Sequence, residues 1–201
     1  MILYFDTETT GLKPGHVIQL AYILDYGDET VCKNFYFYTD YIEPSAVFIH
    51  GITTEKLEIL SKGLKFDDYI DEIENDFSRA DLVVAHNFNF DFGFMSQEFK
   101  NNLRTFRYKE SLDTMKYFTP VMKLPRPNGK GVKYPKLEEF CVYADVYPFE
   151  VNKFVKENFS MDDKKSHDAA YDTAAMFLAV QNSREKLPDF NDFILKYLNR
   201  I

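Results

Sequence analysis

Tryptophan is absent from this 201-residue chain, cysteine occurs twice, and glycine and proline occur eight times each. Cys32 and Cys141 stand far apart, which excludes both a disulfide framework and a zinc site built on clustered thiols. No run approaches the roughly 18 consecutive apolar residues of a membrane span, so no membrane association is expected. The first residues enter a strand-like run with no basic leader or cleavage site, which leads us to expect a cytoplasmic protein in a reducing compartment. Cations are also in deficit, 24 against 32 acids, for a net charge of −8. That balance disfavours broad, non-specific attraction to duplex nucleic acid, so a nucleic-acid binder of this composition has to work locally.

What the chain has in abundance is aromatic side chains, 20 Phe and 14 Tyr, within 45% hydrophobic residues. Such residues bury much area each, enough for one substantial core without a covalent or metal staple. We therefore expect residues 1–201 to form a single domain. One segment breaks the acidic trend. Between Lys123 and Lys136 lie five cations (Lys123, Arg126, Lys130, Lys133, Lys136), no acids, and several Pro and Gly. It reads either as a solvated loop or as a basic flap for substrate phosphates.

The order of elements suggests an α/β fold. Ile2–Asp6 is an apolar run closed by an acid and followed by the turn-rich TTGLKPG, which predicts a buried strand with Asp6 at its end. Val17–Tyr26 and Val31–Thr39 are β-rich and flank Gly27-Asp28, so three antiparallel strands come first. Phe66, Ile70, Ile73 and Phe77 repeat at helical spacing, and Leu82–Ala85 returns to a strand. Asn87 or Asn89 can then cap a helix striped with Phe88, Phe92, Met95 and Phe99. A short fifth strand is expected near Phe106–Leu112, turning into helix by Tyr117. Further helices are expected over Leu137–Tyr143, Phe149–Asn158, Ser166–Ser183 with Ser166 as its cap, and Pro188–Leu198. Strands followed by alternating helix and strand predict a mixed five-stranded sheet flanked by helices, with any ligand site where strand ends and loops converge.

Three distant segments each end a hydrophobic run in acids: FDTETTGL at 5–12, AHNFNFDFGFM at 85–95 and SHDAAYD at 166–172. Four carboxylates within about 4 Å of one another would repel by roughly 4 kcal/mol per close pair at an effective dielectric near 20. Cations must offset that cost, and an all-oxygen ligand set suits two divalent ions, Mg²⁺ or Mn²⁺, facing a phosphodiester. A lone Asp is more often a turn former or a cap. The pair Asp6 and Glu8 says more, because residues two apart on an extended segment share a face. Helical spacing leaves either Asp168 or Asp172 as the ligand of the last segment.

Together, the three motifs and FIHGIT at 48–53 resemble the DnaQ-like 3′→5′ exonucleases of the Asp-Glu-Asp-Asp-His type over nearly the whole chain, with wording similar to bacterial proofreading subunits. The resemblance implies a ribonuclease-H-like fold and selects Asp172, leaving Asp168 to the positive end of its helix. It implies Asp6, Glu8, Asp91 and Asp172 as metal ligands for two divalent ions, and His167 as general base, a role suited to histidine's ordinary pKa near 6.5. It further implies Thr9, Gly11 and Leu12 at the terminal nucleotide, Ile49 and His50 at its base and sugar, and Asn87 and Phe90 at the scissile end. Gly11 can instead serve the turn alone, Asn87 can be only a cap, and His86 is expected to be structural.

The expected activity is release of nucleoside 5′-monophosphates from a free 3′ end of single-stranded or frayed nucleic acid, DNA favoured over RNA, with DNA polymerase association as a further expectation. An RNA-trimming enzyme is the rival within the same chemistry, and a non-catalytic polymerase accessory module the rival outside it. The Pro-rich segment from Pro120 to Pro135 departs from the compact proofreading pattern.

Overall fold

The structure is a computed structural model and describes residues 1–13, 15–162 and 166–198. Of the turn-rich stretch at 9–15, Pro14 lies outside the described residues. Five strands form one mixed sheet in the order β3-β2-β1-β4-β5. The strands are β1 (Ile2–Thr9), β2 (Val17–Asp25), β3 (Thr30–Tyr36), β4 (Leu82–Ala85) and β5 (Ser111–Asp113). The first three are antiparallel, while β1, β4 and β5 run parallel. This is the mixed five-stranded sheet that the order of elements suggested, in the ribonuclease-H-like arrangement that the resemblance implied.

Alternation along β1 sorts its side chains between two cores. Ile2 and Tyr4 join the core beneath α8 (Ala169–Lys186), with α5 (Thr114–Met122), α6 (Leu137–Tyr143), α7 (Pro148–Asn158) and α9 (Pro188–Leu198) around it. Leu3 and Phe5 enter the opposite core under α3 (Phe66–Arg79) and α4 (Phe88–Asn101). Phe5 meets Phe77 and Phe88 edge-on at 5.1 and 6.0 Å, contacts worth about 0.5–1.5 kcal/mol each beyond area burial.

Several expectations need correction. Asp6 does not end its strand: β1 runs on to Thr9 because β2 continues to pair with it, Asp6 opposite Ala21 and Glu8 opposite Gln19. On its other side β1 pairs with β4 only through Ile2, Leu3 and Tyr4, so Asp6 and Glu8 project past the end of β4. The fifth strand is later and shorter than expected. Two helices, α1 (Pro44–His50) and α2 (Thr54–Ser61), stand where the sequence had suggested none. The cap of α8 is Asp168, which accepts from the Ala170 N–H, and the helix starts at Ala169 rather than at Ser166. The basic segment is a hairpin, with Pro125 bridged to Val132 and the Lys133 N–H donating to the Leu124 carbonyl.

Candidate active site

The extension of β1 past β4 leaves a notch that the N-terminal ends of α4 and α8 fill from opposite faces of the sheet. Asp6 and Glu8 share the α8 face, and their carboxylates and that of Asp172, in the first turn of α8, lie within 4.8 Å of one another. Small side chains permit this approach: Ala169 and Ala170 pack directly on Ala21 of β2, and the Thr173 hydroxyl donates to the Ala21 carbonyl at 3.2 Å. Gln19, fully buried on β2, fixes the helix end. Its carbonyl accepts from the Ala169 N–H, and its amide donates to Asp168 at 3.2 Å.

Asp91 enters from the other face. Thr7, between the two acids of β1, points toward α4 and binds Asp91 Oδ1 twice, through its N–H at 3.1 Å and its hydroxyl at 2.7 Å. One three-residue stretch of strand thus presents two carboxylates directly and holds a third by hydrogen bonds.

With no counter-charge among them, these acids resist ionisation. Burial first, then the charges of Asp91, Asp172 and Glu8, holds Asp6 well above the ordinary carboxylate range. Glu8 is pushed up to about 9 by burial and by Asp172 and Asp168. Asp91 is raised by burial to about 7 although the Thr7 hydrogen bonds oppose the shift. Asp172 is likewise raised by burial to about 7, against the His167 N–H that donates to it. Donors that are all oxygen, converge and are costly to charge alone fit divalent cations such as Mg²⁺ or Mn²⁺.

A cavity of about 240 Å³ adjoins the acids. Its lining includes Asp6, Glu8, Asp91, Asp172 and His167, together with Thr9, Gly11, Leu12, Ile49, His50 and Phe90. Leu12 and Ile49 are 78% and 50% exposed, apolar surfaces on the two walls. Thr9 turns its hydroxyl onto the Gly11 carbonyl at 2.8 Å. A Cβ at Gly11 would fall 2.4 Å from the Glu43 carboxyl carbon, so glycine lets the loop lie against the start of α1. His50 ends α1, where Nδ1 accepts from the Ile52 N–H at 3.0 Å and burial lowers its pKa. His167 is exposed, at φ 66°, and its N–H donates to Asp172 Oδ2 at 3.0 Å.

Asn87 stands outside this lining. It occupies the cap position of α4 in the left-handed region, without a side-chain cap bond, and its N–H donates to Asp113. The sequence did not single out Thr7, Ser45 and Ala46, which also line the cavity, or Gln19 behind it. His86 lines it too, yet it also has the expected structural bonds, to Thr114 Oγ1 at 2.9 Å and the Pro135 carbonyl at 3.0 Å.

Comparisons with known proteins point the same way. The family model RNase_T, described as an exonuclease, matches residues 3–180. The PolC-type DNA polymerase III of Bacillus subtilis is 31% identical over 194 residues, 90% of this chain and 13% of that protein. The DNA polymerase III epsilon subunit of Salmonella typhimurium is 35% identical over 107 residues, 48% of this chain and 42% of that one. The chain therefore spans less than half the length of either relative. The E. coli exonuclease I structure in complex with a dA16 oligonucleotide superposes with a TM-score of 0.71 at 19% identity, covering 97% of this chain and 43% of that one.

Proposed function

This chain belongs to the RNase_T exonuclease family, and on that premise we propose that it removes nucleotides singly from the 3′ end of single-stranded or frayed DNA as 5′-monophosphates. The observation that carries this reading is the meeting of Asp6, Glu8 and Asp172 at one wall of a cavity that also presents the apolar side chains of Leu12, Ile49 and Phe90. Asp6, Glu8 and Asp172 would hold one divalent ion, and Asp6 with Asp91 a second. Bound there, Mg²⁺ or Mn²⁺ would polarise the phosphodiester and ease ionisation of the attacking water. His167, exposed at the rim, takes the proton from that water at its imidazole. Leu12 and Ile49 receive the terminal base between them, Phe90 and Asn87 bound the scissile end, and Thr9, Gly11 and His50 shape the sugar pocket. Readout by a free end and apolar contact gives little sequence preference. The relatives that are DNA polymerase III components support DNA over RNA, and association with a polymerase.

The test is digestion of 5′-labelled single-stranded DNA and the matching RNA with Mg²⁺ or chelator, beside Asp6→Ala. A metal-dependent ladder shrinking from the 3′ end, faster on DNA and absent from the variant, is expected. Equal cutting of an internally labelled circular strand would overturn the assignment.

A further inference from the structure

Beyond Asp172 lies a second, larger depression of about 440 Å³ that the reaction above leaves unused. Leu137, Cys141 and Val142 of α6, Val151 of α7 and Tyr171 of α8 line it, with Glu138 and Asp172 as the acids on its wall. Asp172 lines both cavities, so the two meet at the cluster of carboxylates. The groove is open and apolar where a folded chain gains nothing by it: Val142 is 77% exposed. Past Val146 and Pro148, which also line it, Tyr147 and Phe149 are 54% and 71% exposed. Their rings stack on each other at 6.1 Å and 13°, presenting aromatic surface to solvent. Exposed apolar patches of this kind mark binding sites.

The basic hairpin is rooted between the two cavities. At its foot the Pro135 carbonyl accepts from His86 Nε2, on the wall of the first cavity, and two residues on Leu137 lines the second. Lys133 is paired with Glu139. Lys136 also favours the Glu139 charge and Arg126 Nε donates to the Val132 carbonyl at 3.0 Å, while among the described residues Lys123 and Lys130 make no side-chain ion pair, so the segment keeps positive charge for a ligand.

Resting on the exonuclease reading, we propose that this groove is a second nucleotide site, which takes bases of the strand on the 5′ side of the scissile bond. The bases lie along α6 and α7 toward the Tyr147 and Phe149 rings, and the phosphates lie toward the hairpin cations. A strand leaving the carboxylate cluster past Asp172 enters the groove directly. Neutral bases tolerate Glu138 beside them, whereas an apolar protein helix laid there would bury Glu138 and Asp172 without a cation of its own. Base stacking on aromatic surface together with flanking cations is how single strands are held without sequence readout.

Two substrates separate the cavities. The p-nitrophenyl ester of thymidine 5′-monophosphate fills only the first; a ten-nucleotide single strand reaches the second. In Val142→Asn combined with Phe149→Ser, both exposed positions, the ratio of strand to ester kcat/KM should fall about tenfold, the size of one lost base stack. Removing the second and third bases from the 3′ end should cost the wild type a similar factor and the variant little. The proposal falls alone if both substrates are hydrolysed and the variant keeps the wild-type ratio. It falls with the exonuclease reading if the wild type hydrolyses neither.

Discussion

Asp6 and Glu8 stand on the central strand of the sheet, between two packed cores, whereas His167 stands on one exposed, left-handed residue ahead of α8. The carboxylates of Asp6 and Glu8 cannot move without moving β1; Asp91 is tied to that strand by Thr7, and Asp172 is held by the packing of α8 on Ala21 of the neighbouring strand β2. Among the described residues, His167 is held by a backbone hydrogen bond to Asp172. Its left-handed conformation costs about 1–2 kcal/mol in a residue with a side chain, and it makes that hydrogen bond while leaving the imidazole in solvent. On the proposed mechanism the difference separates two tasks. Cations need donors fixed in advance, because like charges held together are costly to rearrange; a proton acceptor needs access to water and room to turn.

Breaking the rigid half should have the largest effect. Asp6→Asn removes the carboxylate proposed to serve both ions, and hydrolysis of single-stranded DNA should fall about 10⁴-fold, the equivalent of several kcal/mol of charge stabilisation. Binding of Mn²⁺, followed by calorimetry, should weaken in parallel. Breaking the loose half should leave metal binding alone: His167→Ala should lower kcat about a thousand-fold, within the range for a lost general base. Loss of Mn²⁺ affinity in that variant to the extent seen in Asp6→Asn would show that His167 belongs to the rigid half after all.

The same division governs what could be read from sequence. Helical spacing of apolar residues announced α3 and α4, and continuous apolar or β-rich runs announced the three leading strands, of which β1 and β2 are buried along nearly their whole length. Helices α1 and α2 escaped notice because they are seven and eight residues long, and α1 turns Phe48 and Ile49 outward rather than into a core. The carboxylates were visible as acids closing apolar runs. Thr7 and Gln19 were not singled out, since a threonine in a strand is ordinary and its partner Asp91 lies 84 residues away. Gln19 did leave a trace, as the one polar residue inside the otherwise apolar VIQLAYIL of β2. Ser166 lost the cap of α8 to Asp168 because Gln19 holds both Asp168 and the Ala169 N–H.

A change of pH sharpens the comparison without mutation. The buried acids keep protons in the folded state that the unfolded chain releases near pH 4. Stability from that protonation is complete below pH 4 and is lost as pH rises through about 7 for Asp91 and Asp172 and toward about 9 for Glu8. In chelator, Tm should therefore decline from about pH 4, most steeply up to about pH 7 and more gently toward pH 9, by about 2–4 °C for each kcal/mol lost. Saturating Mg²⁺ or Mn²⁺ should raise Tm most at the alkaline end, where the carboxylates are ready to bind. Asp6→Asn should flatten the decline in chelator, and His167→Ala should not. Parallel curves with and without metal would mean that the acids do not share a cation.

The smallest effect should come from the joint between the two faces of the sheet. Thr7 spends both its N–H and its hydroxyl on one oxygen of Asp91, leaving the other oxygen for a cation. Thr7→Val keeps the shape and the backbone bond but removes the hydroxyl. A hydrogen bond to a charged group is worth about 1.5–3 kcal/mol, of which the N–H and solvent recover a part, so kcat should fall about tenfold. Two further readings distinguish positioning from mere stability. The metal concentration for half-maximal activity should rise in Thr7→Val, because the bond that favours ionised Asp91 is gone, and Thr7→Ser should restore both quantities. If Thr7→Val loses Tm but keeps its metal requirement, Thr7 serves only the packing of α4 on the sheet, and Asp91 is held by its helix alone.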